Sequence, residues 1–421
     1  MIPRTVDGRP LFTDAGRQFD ALFEHGGAEE PHGLYRELRL HDPVFWSNAA
    51  NAWVLTRYAD VRRALGTETD FAVLYGEAGA TIHGKSLLQM RGKEHRRKKA
   101  VIAREIRNLK KLERLIRPTI EQIVSQLITN LRSSKGAIEL RLAYTGAVPL
   151  AVVTWLLEIS EPDQLRGWYQ DLALAGVENL IGNPEIQARG LQALHQFEEI
   201  IAPIVAAQVT EPQQGVLGAL AQLETDGTRM SENELTTLAG FLLTAGVETT
   251  DRTMASLLRR IALYPDERRA LQNDPALVVP AIAETLRFEP AVHGVGRMAL
   301  IDDQFSDIDI RKGERLIGLI GSANRDEDHF PDADRFDVER FVDSADKQFT
   351  PASDVLTFGA GAHHCTGSLL GKLEMKIAIT EFLSAFGSMS LLPESPPPTG
   401  VMLRAPEKVI VKLSAHGEGL S

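Results

Sequence analysis

The ten residues FGAGAHHCTG, Phe358 to Gly367, hold the only cysteine of a 421-residue chain. Gly359, Gly361 and Gly367 allow backbone angles that other residues avoid and let another group approach closely. Directly after them, SLLGKLEMKIAITEFLSAF carries apolar residues at helical spacing. Cys365 therefore sits on a glycine-bearing loop just before a helix N-terminus, where backbone N–H groups and the helix dipole favour a thiolate over a thiol. A buried structural thiol needs no such setting; a nucleophile or a metal ligand does. A nucleophilic cysteine needs a histidine base in reach. His363 and His364 are adjacent on a tight loop, and such neighbours seldom point at one atom. A Cys/His metal site needs a third ligand, and His-His-Cys lacks the usual zinc spacing.

The remaining option is a cofactor with one open axial position, haem, whose iron a thiolate enriches in electron density so that O–O cleavage is favoured. The stretch FGAGAHHCTGSLLGKLE resembles the haem-binding loop of the cytochrome P450 superfamily, Phe-Gly-x-Gly-x-His-x-Cys-x-Gly. It keeps Phe358, Gly359, Gly361, His363, Cys365 and Gly367, and the downstream Glu374. Three further features fall in the family's order, and the four together span residues 90 to 375.

The first is AGVETT, Ala245 to Thr250, inside a long apolar helical run. An acid and two threonines there need a reason, because buried carboxylates are costly. Gly246 removes a side chain where a bulky ligand would approach, and Thr249 can bond back to its own helix and open it locally. The resemblance implies an oxygen-binding segment: Ala245 and Gly246 against the cofactor, Glu248 and Thr249 as a proton relay. That pair speaks against a peroxide-driven variant and against a haem-based ligand sensor. The second is ETLR, Glu284 to Arg287, whose spacing puts both charges on one helix face. The resemblance implies a buried ion network, with Arg335 or Arg340 as third member. The third is a set of cations for the haem carboxylates, since carboxylates in a pocket need paired donors. The resemblance places them at His95, Lys99, Arg297 and His363. Lys99 stands where the family more often has Arg and lacks the bidentate fork; Arg97 is the candidate to compensate.

These residues need elements to position them. Helical periodicity covers IRPTIEQIVSQLITNLRSS (116–134), IQARGLQALHQFEEIIAPIVAAQV (186–209) and the run from Ser231 to Pro265. Ser231 and Glu234 form a capping box at the start of the last run, whose middle is apolar nearly all round and should cross the core. LAYTGAVPLAVVTWLLEIS, interrupted by Pro149, Thr145 and Thr154, reads as a buried helix; no stretch reaches the roughly 18 apolar residues of a membrane span. VFWSNAANAWVLTR reads as a hairpin around Asn48 to Asn51. QFSDIDIRKGERLIGLIGSANRD reads as two strands joined at Lys312-Gly313, and EKVIVKL as one more. LPESPPPTGV is a loop, and the first 25 residues are expected to be loosely ordered. The N-terminus has neither the apolar core of a signal peptide nor an anchor.

One cysteine excludes an internal disulfide, a Cys-x-x-Cys redox pair, a Cys₄ metal site and c-type haem attachment, and it fits a reducing compartment. Arg91 to Arg114 carries eleven Lys/Arg against three Glu, +8, leaving −19 for the remainder of a chain whose net charge is −11. A basic face on an acidic protein points to a local anionic partner and not to nucleic acid.

The resemblance then implies one domain over residues 1–421, mainly α with small β-sheets, in the triangular P450 fold, with haem b (iron protoporphyrin IX) between the long central helix and the helix after the cysteine loop. It implies a cytoplasmic, monomeric monooxygenase that takes O2 and electrons from a ferredoxin docked on the basic proximal face. The substrate is expected to be a mostly apolar natural product of secondary metabolism: a terpenoid, polyketide or fatty acid. The pocket is expected from segments 71–88, 174–181, 241–245, 292–295 and 400–403, with Leu87, Leu88, Val177, Phe241, Leu242, Val292, Val295 and Val401 on its walls and Glu178 and Asn179 as polar additions. The alternatives are aryl coupling, epoxidation or desaturation on the same cofactor.

Overall fold

A reciprocal cap starts the longest helix, Glu232–Leu263. The Ser231 hydroxyl accepts from the Glu234 N–H at 3.3 Å, and the Glu234 carboxylate accepts from the Ser231 N–H at 3.0 Å. The helix is buried on most sides along its second half, because leucines, alanines and small polar residues leave no hydrophilic stripe. Pro265 opens the next helix, Pro265–Asn273, where its missing N–H is not needed. The structure, a computed structural model, describes residues 13–24, 29–74, 77–160, 162–179, 182–225 and 227–415.

Helices Ala147–Leu156, Pro184–Thr210, Val278–Phe288 and Ser368–Ala385 pack directly on this central helix, and Arg117–Ser133 packs behind them. The segment read as a buried helix is one: a π-turn at Arg141–Thr145 leads into Ala147–Leu156, and Pro149 is tolerated because it lies in the first turn. Thr154 satisfies its buried hydroxyl on the Leu150 carbonyl at 2.8 Å. Among the described residues no helix is long and apolar enough to cross a membrane.

The main sheet has five strands in the order Val44–Ser47, Ala52–Leu55, Arg315–Leu319, Gly294–Ala299, Phe71–Val73. A second sheet joins Ser388–Leu391, Ile410–Ser414 and Ile138–Glu139. The expected hairpin at Asn48 to Asn51 is present. The two strands expected on either side of the Lys312-Gly313 turn are also present, but they do not pair with each other. Asp303–Phe305 pairs with Ile308–Ile310, and the turn instead hands the chain to Arg315–Leu319, which lies parallel to Ala52–Leu55 and antiparallel to Gly294–Ala299. Leu316 to Leu319 are all buried, as a strand flanked on both edges requires, whereas Ile308–Ile310 keeps one face in water. The expected looseness of the first 25 residues also fails where they are described: Asp14–Glu24 is helical and its fully buried Phe19 packs edge-on against Phe45 at 5.4 Å. Residues 1–12 and 25 lie outside the described residues.

The ion network expected at Glu284 and Arg287 closes under the core. The Glu284 carboxylate takes Arg287 through Nε at 2.7 Å and Nη2 at 2.8 Å, Arg340 Nε at 3.1 Å and the Asp337 N–H at 3.0 Å. Arg287 also donates to the carbonyls of Asn324, Ala333 and Arg335. Of the two candidates for third member, Arg340 is the one: Arg335 contributes its carbonyl and turns its guanidinium to Asp337 on the surface. Glu284→Ala strands two cations in a dry site and is expected to cost about 3–5 kcal/mol of stability, as breaking one partner of a buried pair does. Arg335→Ala should leave stability nearly unchanged. Urea unfolding followed by circular dichroism checks both; equal effects would mean that the carboxylate is not the centre of this network.

Candidate active site

A cavity of about 1100 Å³ separates the central helix from the cysteine loop and the helix behind it. Phe358, Gly359, Cys365, Gly367 and Leu370 line one side, and Ala245, Gly246 and Thr249 the other. The loop's shape comes from its glycines. Gly359 and Gly361 hold φ of 72° and 63°, and a Cβ on Gly361 would lie 2.3 Å from the Gly66 carbonyl oxygen. The Cys365 N–H returns to the Phe358 carbonyl at 2.8 Å, and the Ser368 hydroxyl ties the following helix to the Phe349 carbonyl at 2.7 Å.

Two cations brace the loop from the basic segment. Lys99 Nζ donates to the carbonyls of His364, at 2.7 Å, and Ala362, while Arg107 Nη1 donates to the Cys365 carbonyl at 3.3 Å. Lys99 lines the cavity, but its ammonium is committed to the loop and not aimed at open space as a carboxylate partner. Its four-carbon stem carries a compact charge past the carbonyls, which a planar guanidinium would do less well. The helix-terminus setting alone does not make the cysteine anionic: burial pushes its thiol above the ordinary value, against the Gly367 and Ser368 N–H groups and the Lys99 and Arg107 charges.

Opposite the sulfur, Thr249 bonds back to the Ala245 carbonyl at 2.9 Å. The helix is nevertheless continuous there, so the back-bond does not open it as expected. Ala245 faces the cavity. Gly246 does so only through its backbone: a Cβ there would lie 2.8 Å from Val153 Cγ2, so its small size serves packing against Ala147–Leu156 and not ligand approach. Glu248 is buried and accepts from Arg252 Nε at 2.5 Å, with Arg141 Nη2 at 3.9 Å. Its other oxygen has no hydrogen-bond partner. Burial holds this carboxyl above its usual range, with Arg252 and Arg141 pulling the other way. Asp251 takes Arg141 at 2.6 Å and the Thr145 hydroxyl at 2.7 Å. This support was absent from the sequence reading. The i,i+4 spacing of Glu248 and Arg252 was legible; Arg141 and Thr145, a hundred residues away, were not.

At one edge of the cavity the rings of His95 and His363 stack at 4.2 Å, and His363 Nε2 lies 3.6 Å from a Glu68 oxygen. Burial lowers His363 to about 4. The Nδ1 atoms of both rings are buried without a hydrogen-bond partner. Arg297 lines the same cavity and donates to the Gly296 carbonyl at 2.9 Å. Ligand atoms of Glu68, His95 and His363 fall within 4.8 Å of one another, inside this cofactor edge. Glu68, in the polar run GTETD, carried no signal in the sequence. One sulfur at the floor, apolar faces, and a rim of imidazole nitrogens and a guanidinium fit haem with its two carboxylates: the orphaned buried nitrogens are the donors that those carboxylates would use.

Away from the sulfur the walls are apolar. Leu87, Leu88, Val177, Phe241, Leu242, Val292 and Val295 line the cavity. Val401 does not: it is buried in a second cluster with Phe19, Tyr35 and Phe45, and Met402 and Leu403 take its place on the wall. Asn179 bonds to the Asn183 backbone, and Glu178 to the backbone of residues 401–403, so neither is a simple polar handle. Burial keeps the wall residue His83 neutral, lowered to about 4. Residues 75–76 and 180–181 of the expected pocket segments lie outside the described residues.

A family profile described as Cytochrome P450 matches residues 189–412. Cytochrome P450 107B1 of Saccharopolyspora erythraea is 30% identical over 391 residues, which cover 88% of this chain and 91% of that one. The mycinamicin IV hydroxylase/epoxidase of Micromonospora griseorubida is 29% identical over 395 residues, covering 89% and 93%. Substrate-free CYP109E1 from Bacillus megaterium has the same fold, with a TM-score of 0.79 over 92% of this chain and 100% of that one at 21% identity. The likeness takes in the helical body and the cysteine loop together, and the chain belongs to the cytochrome P450 family of haem-containing monooxygenases.

Proposed function

We propose that the chain acts as one domain, holding haem b on Cys365, and inserts one oxygen atom from O2 into a mid-sized, mostly apolar natural product in the cytoplasm. The observation that carries this reading is the cavity of about 1100 Å³, apolar on its walls, with Cys365 at the floor and Thr249 facing it. A cavity of this size and lining suits a drug-sized apolar ligand. Bound haem supplies the activation of O2, to which a thiolate ligand contributes electron density. His95, His363 and Arg297 hold the cofactor's carboxylates. Lys99 and Arg107 hold the loop so that the sulfur keeps its place when substrate enters. The apolar walls orient the substrate and exclude water.

Thr249 presents its hydroxyl to the space above the floor, free to accept a hydrogen bond from a proton donor because its own hydrogen is given to the Ala245 carbonyl. Glu248, held by Arg252 through one oxygen and with the other unpaired, is the acid that links that hydroxyl to the outside. The relative that is a hydroxylase/epoxidase supports both outcomes on this scaffold, and product analysis separates hydroxylation from epoxidation, coupling and desaturation.

Electrons come from a separate acidic protein such as a ferredoxin, met by the basic face beside the cysteine loop. Arg96, Arg104, Lys110, Arg114 and Lys376 are exposed there, whereas Lys98 is buried between Glu94 and Glu234 and Lys111 is paired with Glu105.

The axial ligand is tested by dithionite reduction under carbon monoxide. The wild type should give the strongly red-shifted Soret band of a thiolate ligand and Cys365→Ser should not; a histidine-type band in the wild type would refute the assignment. The relay is tested by product and peroxide formed per NADPH. Thr249→Ala should keep folding and ligand affinity while diverting electrons to peroxide. Glu248→Gln should slow the whole turnover by about 10²-fold or more, the usual contribution of a positioned acid. Full coupling in Thr249→Ala would remove that residue from the relay. For the basic face, Lys110→Glu with Lys376→Glu should slow reduction by ferredoxin, and the wild-type rate should fall as salt rises. A salt-independent rate matched by the double variant would return the patch to plain solvated surface.

A further inference from the structure

Three consecutive backbone N–H groups converge on one side chain. Val401, Met402 and Leu403 donate to the Glu178 carboxylate at 2.9, 3.0 and 2.6 Å. Gly400 makes this convergence possible. It holds φ of 110°, and a Cβ there would lie 1.8 Å from the Leu403 carbonyl oxygen, so the turn closes only with glycine. Successive N–H groups of such a turn form a concavity for an anion. Here the anion is supplied by the chain itself, from more than 220 residues away in sequence.

Both partners belong to the walls of the cavity. Glu178 ends the π-turn Leu174–Glu178, whose Val177, with the following Asn179, lines the cavity. That turn rests on the helix Glu77–His83, where Gly176 leaves room for His83: a Cβ on it would lie 2.1 Å from Nε2. The opposite edge of the 401–403 turn is held by the segment after the Glu284–Arg287 helix. His293 N–H donates to the Met402 carbonyl at 2.8 Å, Arg404 N–H to the Ala291 carbonyl at 2.9 Å, and Leu403 bridges to Val292. On that side backbone pairs with backbone. On the other side the turn has Glu178.

We propose that Glu178 is a positioning residue for the reaction: its carboxylate clamps Met402 and Leu403 against the Leu174–Glu178 turn and so fixes the width of the substrate chamber. The proposal rests on the reading of the cavity as that chamber. A carboxylate accepting three N–H bonds is a strong tie, because charge-assisted bonds are about twice as strong as neutral ones. Its loss would free both walls at once while leaving in place the cysteine loop, which has its own ties to Lys99, Arg107 and Phe349. Bulky ligands that lean on Met402 and Leu403 should feel the change, and small ones near the floor should not.

The test compares wild type, Glu178→Gln and Glu178→Ala in two measurements. Hydrogen–deuterium exchange of the segment 400–404 reads the tie itself. Glu178→Ala should speed it by about tenfold and Glu178→Gln by less, since one neutral acceptor remains, with exchange elsewhere unchanged. Spectral titration of the haem-loaded protein with imidazole and with the bulky azole clotrimazole reads the chamber. Clotrimazole should weaken by about tenfold in Glu178→Ala while imidazole stays within about twofold. Unchanged exchange at 400–404 would overturn the clamp. Parallel weakening of both azoles would overturn its role in the chamber and leave a general structural one. Failure of clotrimazole to bind the wild type, with imidazole binding intact, would instead refute the cavity as a chamber for bulky ligands and, with it, the positioning role.

Discussion

A single sulfur atom must be presented bare at the bottom of a dry cavity, and the structure is organised around that constraint. Burial disfavours the charged form of Cys365, so the fold has to compensate with fixed dipoles and charges. It does so from two directions. The Gly367 and Ser368 N–H groups approach from the helix that follows, and Lys99 and Arg107 approach from the basic segment. The glycines at 359 and 361 are the steric condition for this arrangement, because the loop passes within touching distance of the Gly66 backbone.

Buried charge recurs elsewhere, in several places closed into a set. Glu284 is matched by Arg287, Arg340 and a backbone N–H. Asp251 is matched by Arg141 and Thr145, and Glu289 by Arg404, with His32 and His293 held neutral beside it. Such sets add little net stability over apolar packing but impose geometry, since a carboxylate in a dry site has few acceptable partners. Glu248 differs from these sets, with one oxygen paired and one left over in the wall of the cavity. A half-satisfied acid is a poor structural element and a reasonable proton carrier.

The division of labour follows from this. The helical body and its ion sets hold the floor. The distal walls are separate segments, at 77–88, 174–179 and 401–403, brought together by packing of the Leu174–Glu178 turn on the Glu77–His83 helix and by the Glu178 tie to 401–403. Sites grafted on such connecting segments are how one fold hosts many specificities.

The sequence alone determined the local and the covalent: that the long periodic runs at 116–134, 186–209 and 231–265 are helical, where the Ser231 cap begins the central helix, that the lone cysteine stands on a glycine loop before a helix, and that Glu284 and Arg287 share a face. Each of these depends on spacing within a few residues, where periodicity and capping are nearly deterministic. It also led to the family, because the spacing of Phe358, Gly359, His363, Cys365 and Gly367 is itself a local property. Tertiary structure decided everything that joins distant segments. It took Lys99 from the cofactor rim to the loop's carbonyls, filled the space over Gly246 with Val153, sent Arg315–Leu319 to the main sheet, chose Arg340 over Arg335, and turned Val401 into the core while Met402 faced the cavity. In every case the side chain's nature was legible and its direction was not. Direction is set by which surface arrives opposite, and that depends on the packing of the whole chain.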